Sequence, residues 1–364
     1  VAFIERRLFF HLDWLLLASV LTIVAMGITM IYSATQATMP KLYVSQIYAL
    51  LLGLVAMVIA LSIDYRTLAD KSHWIYALTL GLLVYVMIFG VVRGGARRWI
   101  PLGFFNLQPS EFAKLAVALV LAKFFGENRR LQPTGADLMT GAALAIVPLL
   151  LIARQPDLGT AVTLVPVYLV VGYVAGLPMR VLGILALAGV LMAPIAWKFA
   201  LKDYQKSRIL MFIDPSKDTR GAGYQQIQAR ITVGSGGLWG KGFMKGTQGQ
   251  LRFLPVAHND FIFSAWAEEQ GFVGVIVALG LYLLVITRSL EAARLAKDRL
   301  GAFLVLGILA SFTFQVFYNI TMSAGLAPVK GLTLPLMSYG GSSLIATLTG
   351  FGLILNVRMR RFTN

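Results

Sequence analysis

One acidic residue, Asp260, stands where a long polar stretch meets an apolar run: Leu254-Pro255-Val256-Ala257-His258-Asn259-Asp260-Phe261-Ile262-Phe263-Ser264. A carboxylate at a water–lipid boundary costs free energy unless it is solvated or paired, so it is a functional candidate by default. The chemistry open to it is proton abstraction from a hydroxyl that attacks a neighbouring centre. The structural alternative is a cap on the helix that follows.

Further polar clusters could serve such a reaction. Arg97, Arg98 and Trp99 close the run Arg93-Gly94-Gly95-Ala96-Arg97-Arg98-Trp99, which continues to Gln108-Pro109-Ser110-Glu111-Phe112-Ala113-Lys114. Arginine forks suit phosphate oxygens; the alternative is a loop that meets lipid headgroups. Glu111 and Lys114 are i,i+3 and share a helical face, either lining a cavity or neutralising each other. Asp157, in Arg154-Gln155-Pro156-Asp157, reads as a helix cap that also holds Arg154. Arg208 and Arg230 lie in the long polar segment, roughly residues 200–259, followed by Gly234-Ser235-Gly236-Gly237-Leu238-Trp239-Gly240-Lys241-Gly242. Those glycines, with Lys241, Lys245 and Arg252, could cradle phosphate or form a solvated loop. Residues 224–233 fit an amphipathic helix on the membrane surface. Glu268 and Glu269, adjacent within an apolar run, read as a pathway or as a packing pair.

The elements that must position these groups are set by composition. The chain has 364 residues, 58% hydrophobic and 13% charged, with mean hydropathy +0.75. Soluble domains carry about 25% charged residues, so the chain is expected to be an all-α polytopic membrane protein. A bilayer core of about 30 Å needs about 20 apolar residues in a helix. Ten runs qualify, approximately 14–33, 45–63, 74–92, 112–125, 138–153, 158–175, 181–199, 261–287, 301–320 and 338–357; the fourth, short and carrying Lys114 and Lys123, fits least well. Barrel strands would alternate instead of running apolar. Glu5-Arg6-Arg7 precedes a run long enough to span, unlike a cleaved signal.

The net charge of +16 fits basic loops against anionic headgroups rather than nucleic acid, since no basic domain stands apart from the spans. One set of short loops holds Arg6, Arg7, Arg66, Lys71, Arg129, Arg130, Arg180, Arg288, Arg294, Lys297, Arg299, Arg358, Arg360 and Arg361; the other holds only Lys41, Arg93, Arg97, Arg98, Arg154 and Lys330. The positive-inside rule places both termini in the cytoplasm and the long loop outside. With no cysteine, thiolate chemistry and zinc–thiolate sites are excluded, and His11, His73 and His258 are too scattered in sequence to suggest a metal cluster. No G-x-x-x-x-G-K-[ST] is present, so ATP is not the expected energy source. The whole of residues 1–364 reads as one integral membrane domain. Pro148, Pro166, Pro194, Pro328 and Pro335 punctuate the spans, and Pro328 to Ser343 reads as an irregular or re-entrant turn before the last one.

Several motifs together resemble the SEDS family (shape, elongation, division and sporulation proteins), and most of all its elongation members. They are Gly94 to Trp99, Gln108-Pro109-Ser110-Glu111, Gln155 to Thr160, His258-Asn259-Asp260-Phe261-Ile262-Phe263, Asn319 with Gly325-Leu326-Ala327-Pro328, and Leu334-Pro335 to Ser343. The resemblance covers nearly the whole chain. It implies a ten-span peptidoglycan glycosyltransferase of the bacterial inner membrane that uses lipid II and pairs with a class B penicillin-binding transpeptidase. Asp260 matches the family's essential aspartate; Trp99, Glu111 and Lys114 match other positions important to its activity. Val256 and Asn259 depart from the family pattern without touching that aspartate. Asp260 would then act as base, while Arg97, Arg98, Arg208 and Arg230, with a divalent cation as a further candidate, would stabilise a departing pyrophosphate. The rival readings are a lipid II flippase, a septal member of the same family and a non-catalytic scaffold.

Overall fold

The computed structural model describes residues 11–36, 38–93, 96–102, 106–128, 133–199, 203–214, 221–250, 253–254 and 257–362. Glu5, Arg6, Arg7, Gly94, Gly95, Arg129, Arg130, Arg252 and Val256 lie outside the described residues, as does the side chain of Arg93.

The apolar runs become helices because lipid offers no partner for backbone N–H and C=O groups, which a helix satisfies internally. In chain order the helices, apolar and polar together, are α1 (Trp14–Thr35), α2 (Leu42–Ser62), α3 (Tyr65–Asp70), α4 (Ser72–Phe89), α5 (Pro109–Gly126), α6 (Gly135–Arg154), α7 (Leu158–Val162), α8 (Leu164–Ala175), α9 (Met179–Phe199), α10 (Asp203–Ile213), α11 (Ala222–Ser235), α12 (Thr247–Gln250), α13 (Ile262–Arg294), α14 (Arg299–Ser323) and α15 (Gly341–Met359). Among the described residues, nine stretches are long and apolar enough to cross a membrane: α1, α2, α4, α6, α7 with α8, α9, α13, α14 and α15. The expected tenth, α5, is a continuous helix of 18 residues, about 27 Å long at 1.5 Å per residue. It falls short on composition alone, because it carries Glu111, Lys114 and Lys123. Most of its residues are buried among protein neighbours, so its charges do not face lipid.

Helices in lipid associate by close packing rather than by expulsion from water, and small residues permit that approach. A Cβ added at Gly126 would lie 2.8 Å from Leu300, at Gly307 3.0 Å from Ala118, and at Gly352 2.7 Å from the Met57 carbonyl oxygen. The main apolar cluster runs through these contacts from Leu16 on α1 to Val357 on α15. Pro148 and Pro194 sit inside continuous helices rather than breaking them. At the end of the bundle nearest the termini, Asp13 caps α1 and pairs with Arg288 and Arg358. Asn356 donates to the carbonyls of Ala60, Leu61 and Ile63 there.

The opposite end departs from an all-helical reading. A three-stranded antiparallel sheet, β1 (Val91–Arg93), β2 (Ala96–Pro101) and β3 (Asn106–Leu107), joins α4 to α5. The long polar segment carries α10, α11 and α12. The amphipathic helix expected over 224–233 forms as α11 and packs on α13 and α14 through Gln226, Ala229 and Thr232. The segment between α14 and α15 is irregular and largely buried, with Val329, Leu332, Leu334, Leu336 and Met337 inside.

Candidate active site

The turn that presents Asp260 is held by its backbone. The His258 carbonyl accepts from the Tyr339 N–H at 3.0 Å, the Asn259 carbonyl from Ser338 Oγ at 2.6 Å, and the Asp260 carbonyl from Asn319 Nδ2 at 2.8 Å. Asn319 is fully buried and its Nδ2 also donates to the Leu332 carbonyl at 2.7 Å. A small apolar cluster of Ala229, Leu254, Ala257, Phe261, Met322 and Val329 lies under the turn. Polar atoms of the irregular Pro328–Ser343 segment thus fix the first two of these carbonyls and α14 fixes the third. The Asp260 side chain is left unused.

That side chain does not cap α13. The cap residue is Phe261, with no side-chain hydrogen bond. Among the described residues nothing hydrogen-bonds or ion-pairs with the Asp260 carboxylate, which is half-buried beside Gly331. Burial pushes its pKa up to about 6, against the pull of the Arg208 and Arg98 charges. A carboxyl of that pKa is still on the order of 90% ionised at pH 7 and has gained proton affinity, which suits a general base. Burial also holds His258 below the ordinary histidine range, so its ring, edge-on to Tyr339, is neutral there.

The expected cations separate. Successive side chains of a strand point to opposite faces, and Arg97 and Arg98 do so on β2. Arg98 turns inward, its Nη2 donating to the Pro156 carbonyl at 3.2 Å and its Nη1 lying 3.5 Å from Asp157 Oδ1. Its buried Nε has no hydrogen-bond partner among the described residues. Arg97 is exposed and donates to the Ile88 carbonyl. Trp99 is half-buried and paired with Val91. Arg208, exposed on α10, adds positive potential at Asp260. Arg230, exposed on α11, lies over Gly325 and is not among the charges acting on Asp260.

Asp157 does cap α7, accepting from the Thr160 N–H. The arginine it holds is Arg98, not Arg154, which is exposed. Gln108 ties this group together, its Nε2 reaching both Asp157 Oδ2 and Ser110 Oγ at 3.0 Å. Glu111 and Lys114 form a buried ion pair at 2.7 Å, and Lys114 also donates to Gln315 Oε1 at 3.0 Å. The pair lines a narrow pocket with Leu115, Phe312, Gln315 and Phe351.

Glu268 and Glu269 have protein partners instead of lining a pathway. Glu268 Oε1 takes Lys241 Nζ at 2.7 Å and the backbone N–H groups of Thr247 and Gln248; Glu269 takes Ser33 Oγ and the Met244 N–H. Lys241 and the backbone from Met244 to Gln248, just past the glycine-rich run, therefore hold these carboxylates.

Lys330, Gln315 and Asn319 are site residues that sequence reasoning did not assign. The Lys330 ammonium lies 5.6 Å from the centre of the Tyr318 ring, and burial and Arg208 hold its pKa below the ordinary lysine range. A Cβ added at its neighbour Gly331 would lie 3.5 Å from Asp260 Oδ2, so this backbone runs beside the carboxylate. Gln315 and Asn319 are polar residues at i,i+4 within an apolar run, and that spacing is the signal that could have found them. Among the described residues no three His, Cys, Asp or Glu side chains gather as a metal site. Asp260 alone would offer one carboxylate to a divalent cation, whose remaining ligands would be phosphate and water.

Residues 13–362 match the cell cycle protein family that groups FtsW, RodA and SpoVE. The chain belongs to this family. The peptidoglycan glycosyltransferase MrdB of Escherichia coli K12 is 40% identical over 353 residues, covering 96% of this chain and 94% of that protein. A probable peptidoglycan glycosyltransferase FtsW of Trichlorobacter lovleyi is 36% identical over 356 residues, covering 95% and 92%. Among solved structures, a chain from a peptidoglycan synthase complex that coordinates polymerisation and crosslinking superposes with TM-score 0.85 at 36% identity, covering 97% of this chain and 99% of that one. RodA of Thermus thermophilus gives 0.73 at 34% identity, covering 97% and 98%. The polytopic helical fold is therefore the family's own.

Proposed function

We infer that this chain is a peptidoglycan glycosyltransferase that polymerises lipid II during cell elongation, with Asp260 as its general base. The observation that carries the role of Asp260 is a backbone pinned at successive carbonyls beneath a carboxylate that no described protein group engages. The activity rests on relatives named as peptidoglycan glycosyltransferases across nearly the whole chain.

In the reaction, a sugar hydroxyl of the acceptor gives its proton to an Asp260 oxygen as it attacks the anomeric carbon of the donor. The bond from that carbon to the lipid pyrophosphate breaks, and the electron pair leaves with the phosphate oxygen. Direct displacement inverts the centre, so an α-linked donor yields a β-1,4 glycan. Arg98, whose Nε has no partner among the described residues, Arg208 and Lys330 supply the positive field for the departing charge. Glu111, Lys114 and Trp99 shape the wall, while Arg97 and Arg230 meet substrate or headgroups farther out. The bond to pyrophosphate is already activated, so no nucleotide is needed.

The protein sits in the bacterial inner membrane with both termini cytoplasmic, which puts the Asp260 end outside; the distribution of lysine and arginine supports this. Its partner is a class B penicillin-binding transpeptidase, a reading supported by the likeness to a chain of a synthase complex. The test is purified protein with that partner and lipid II: glycan strands form, and Asp260→Ala abolishes them while the fold persists. Lipid II crossing sealed vesicles without strand growth would replace this reading with a flippase.

A further inference from the structure

The glycine-rich turn that follows α11 is left over by this chemistry. It grips α13 through its main chain. The N–H groups of Lys241 and Gly242 donate to the Glu268 and Glu269 carbonyls, and those of Phe272 and Val273 donate to the Gly237 and Leu238 carbonyls, all within 2.9–3.1 Å. This contact requires glycine on both sides. Gly271 breaks the helix at φ 67 and ψ −166, and a Cβ there would lie 2.2 Å from the Gly240 nitrogen.

What the turn presents outward is apolar: Leu238 is 65% exposed and Trp239 80%. Its position is informative. From Ile262 to Glu269, α13 is enclosed by protein. Just past Gly271, Phe272, Val273, Ile276 and Val277 are exposed, at the start of the apolar stretch of a membrane span. On the Asp260 side the exposed apolar face of α13 thus begins just past Gly271, where the turn is bonded. Tryptophan is a residue that settles at a headgroup level. α11, which leads into the turn, exposes Ile227 and Ile231 at i,i+4, so the apolar surface continues beyond the turn.

We propose that the Leu238–Trp239 turn is a membrane anchor that inserts into the headgroup–acyl boundary of the leaflet on the Asp260 side and sets the depth of the Asp260 turn. The occupant is lipid, because the exposed pair is continuous with the lipid-facing side of α13. The linkage to Asp260 is short: residues 262–270 form a helical segment between the gripped kink and that turn. A fixed depth matters for an enzyme whose substrate is itself held in the bilayer by its lipid.

The chain has no cysteine, so Leu238→Cys or Trp239→Cys takes a single nitroxide label. In the full chain in nanodiscs, the label is expected to collide more with oxygen, which partitions into lipid, than with a water-soluble nickel chelate. Its accessibility should fall between Phe272→Cys, in lipid, and Lys245→Cys, in water. Preference for the chelate overturns the anchor, as does shielding from both reagents. Water exposure that turns to protection only when the transpeptidase is added assigns the turn to that partner instead.

The depth role rests on the polymerase reading and has its own test. Trp239→Ser is expected to lower strand synthesis several-fold in nanodiscs while leaving it unchanged in detergent micelles, which have no fixed interface. Equal losses in both would mean that the turn acts through folding, and no loss in either removes the depth role. The collision measurement stands whatever the protein's activity proves to be.

Discussion

Gln315 and Asn319 lie one turn apart on the same face of α14: one accepts from the Lys114 ammonium, and the other holds the carbonyl of Asp260. One helix thus sets the buried ion pair and the candidate base against each other. The two clusters come from distant parts of the sequence, and α14 is the ruler between them.

Asn319→Leu should loosen that relationship. It leaves the buried carbonyls of Asp260 and Leu332 without their donor, at about 1–3 kcal/mol for each group left unsatisfied. Thermal melting should drop and strand synthesis should fall with it, while lipid II binding changes less than turnover.

Asp260→Asn should separate activity from stability. The folded carboxyl is raised to about 6, above its value of about 3.9 in an unfolded chain. The folded state therefore holds the proton more tightly, and stability is lost as pH rises from about 4 to about 6. Asparagine carries no charge, so at neutral pH the variant should be inactive and more stable by on the order of 1–3 kcal/mol. Below about pH 4 the two proteins should melt alike.

The pH profile of strand synthesis follows from the same group. A base must be deprotonated, so the rate should rise through about pH 6, changing about tenfold per unit on the acid side. The alkaline limb should begin below the ordinary lysine range, because Lys330 loses its proton early. Lys330→Arg should move that limb upward.

Breaking the Glu111–Lys114 pair should cost more than removing it. Lys114→Met leaves a buried, uncompensated carboxylate, a loss of about 3–5 kcal/mol. Replacing both with Gln and Met should recover most of the melting temperature. Activity that stays low in the refolded double variant would assign the pair to the substrate.

Glu268→Ala should free the segment from Lys241 to Gln248, which that carboxylate gathers. Hydrogen exchange of residues 241–248 should rise by at least an order of magnitude, as a local opening costs less, while the spans stay protected.

The spans were legible because each is a continuous apolar run, and its helical state follows from the absence of water. α5 was the faint one, since buried charges lower the hydropathy of a helix that never faces lipid. The sheet of residues 91–107 was not legible: its strands are two to six residues long, too short for alternation to show. Asp260 could be singled out from its place at a boundary. Its setting could not, because Asn319 is 59 residues away and Ser338 79 from the carbonyl it holds, and such contacts leave no local pattern. The same applies to Asp157, whose arginine came from β2, and to Glu268 and Glu269, whose partners are Lys241, the distant Ser33 and backbone groups that sequence does not distinguish.

The doublet on β2 has an evolutionary consequence. Inserting one amino acid in the preceding hairpin would turn the strand over, bringing Arg97 to the position beside Asp157 and sending Arg98 outward. The guanidinium there would survive an insertion, in which only Trp99 exchanges faces with no substitute, whereas a deletion would put Trp99 in its place. Insertion in that hairpin should thus be limited by the indole, and deletion by the loss of the charge.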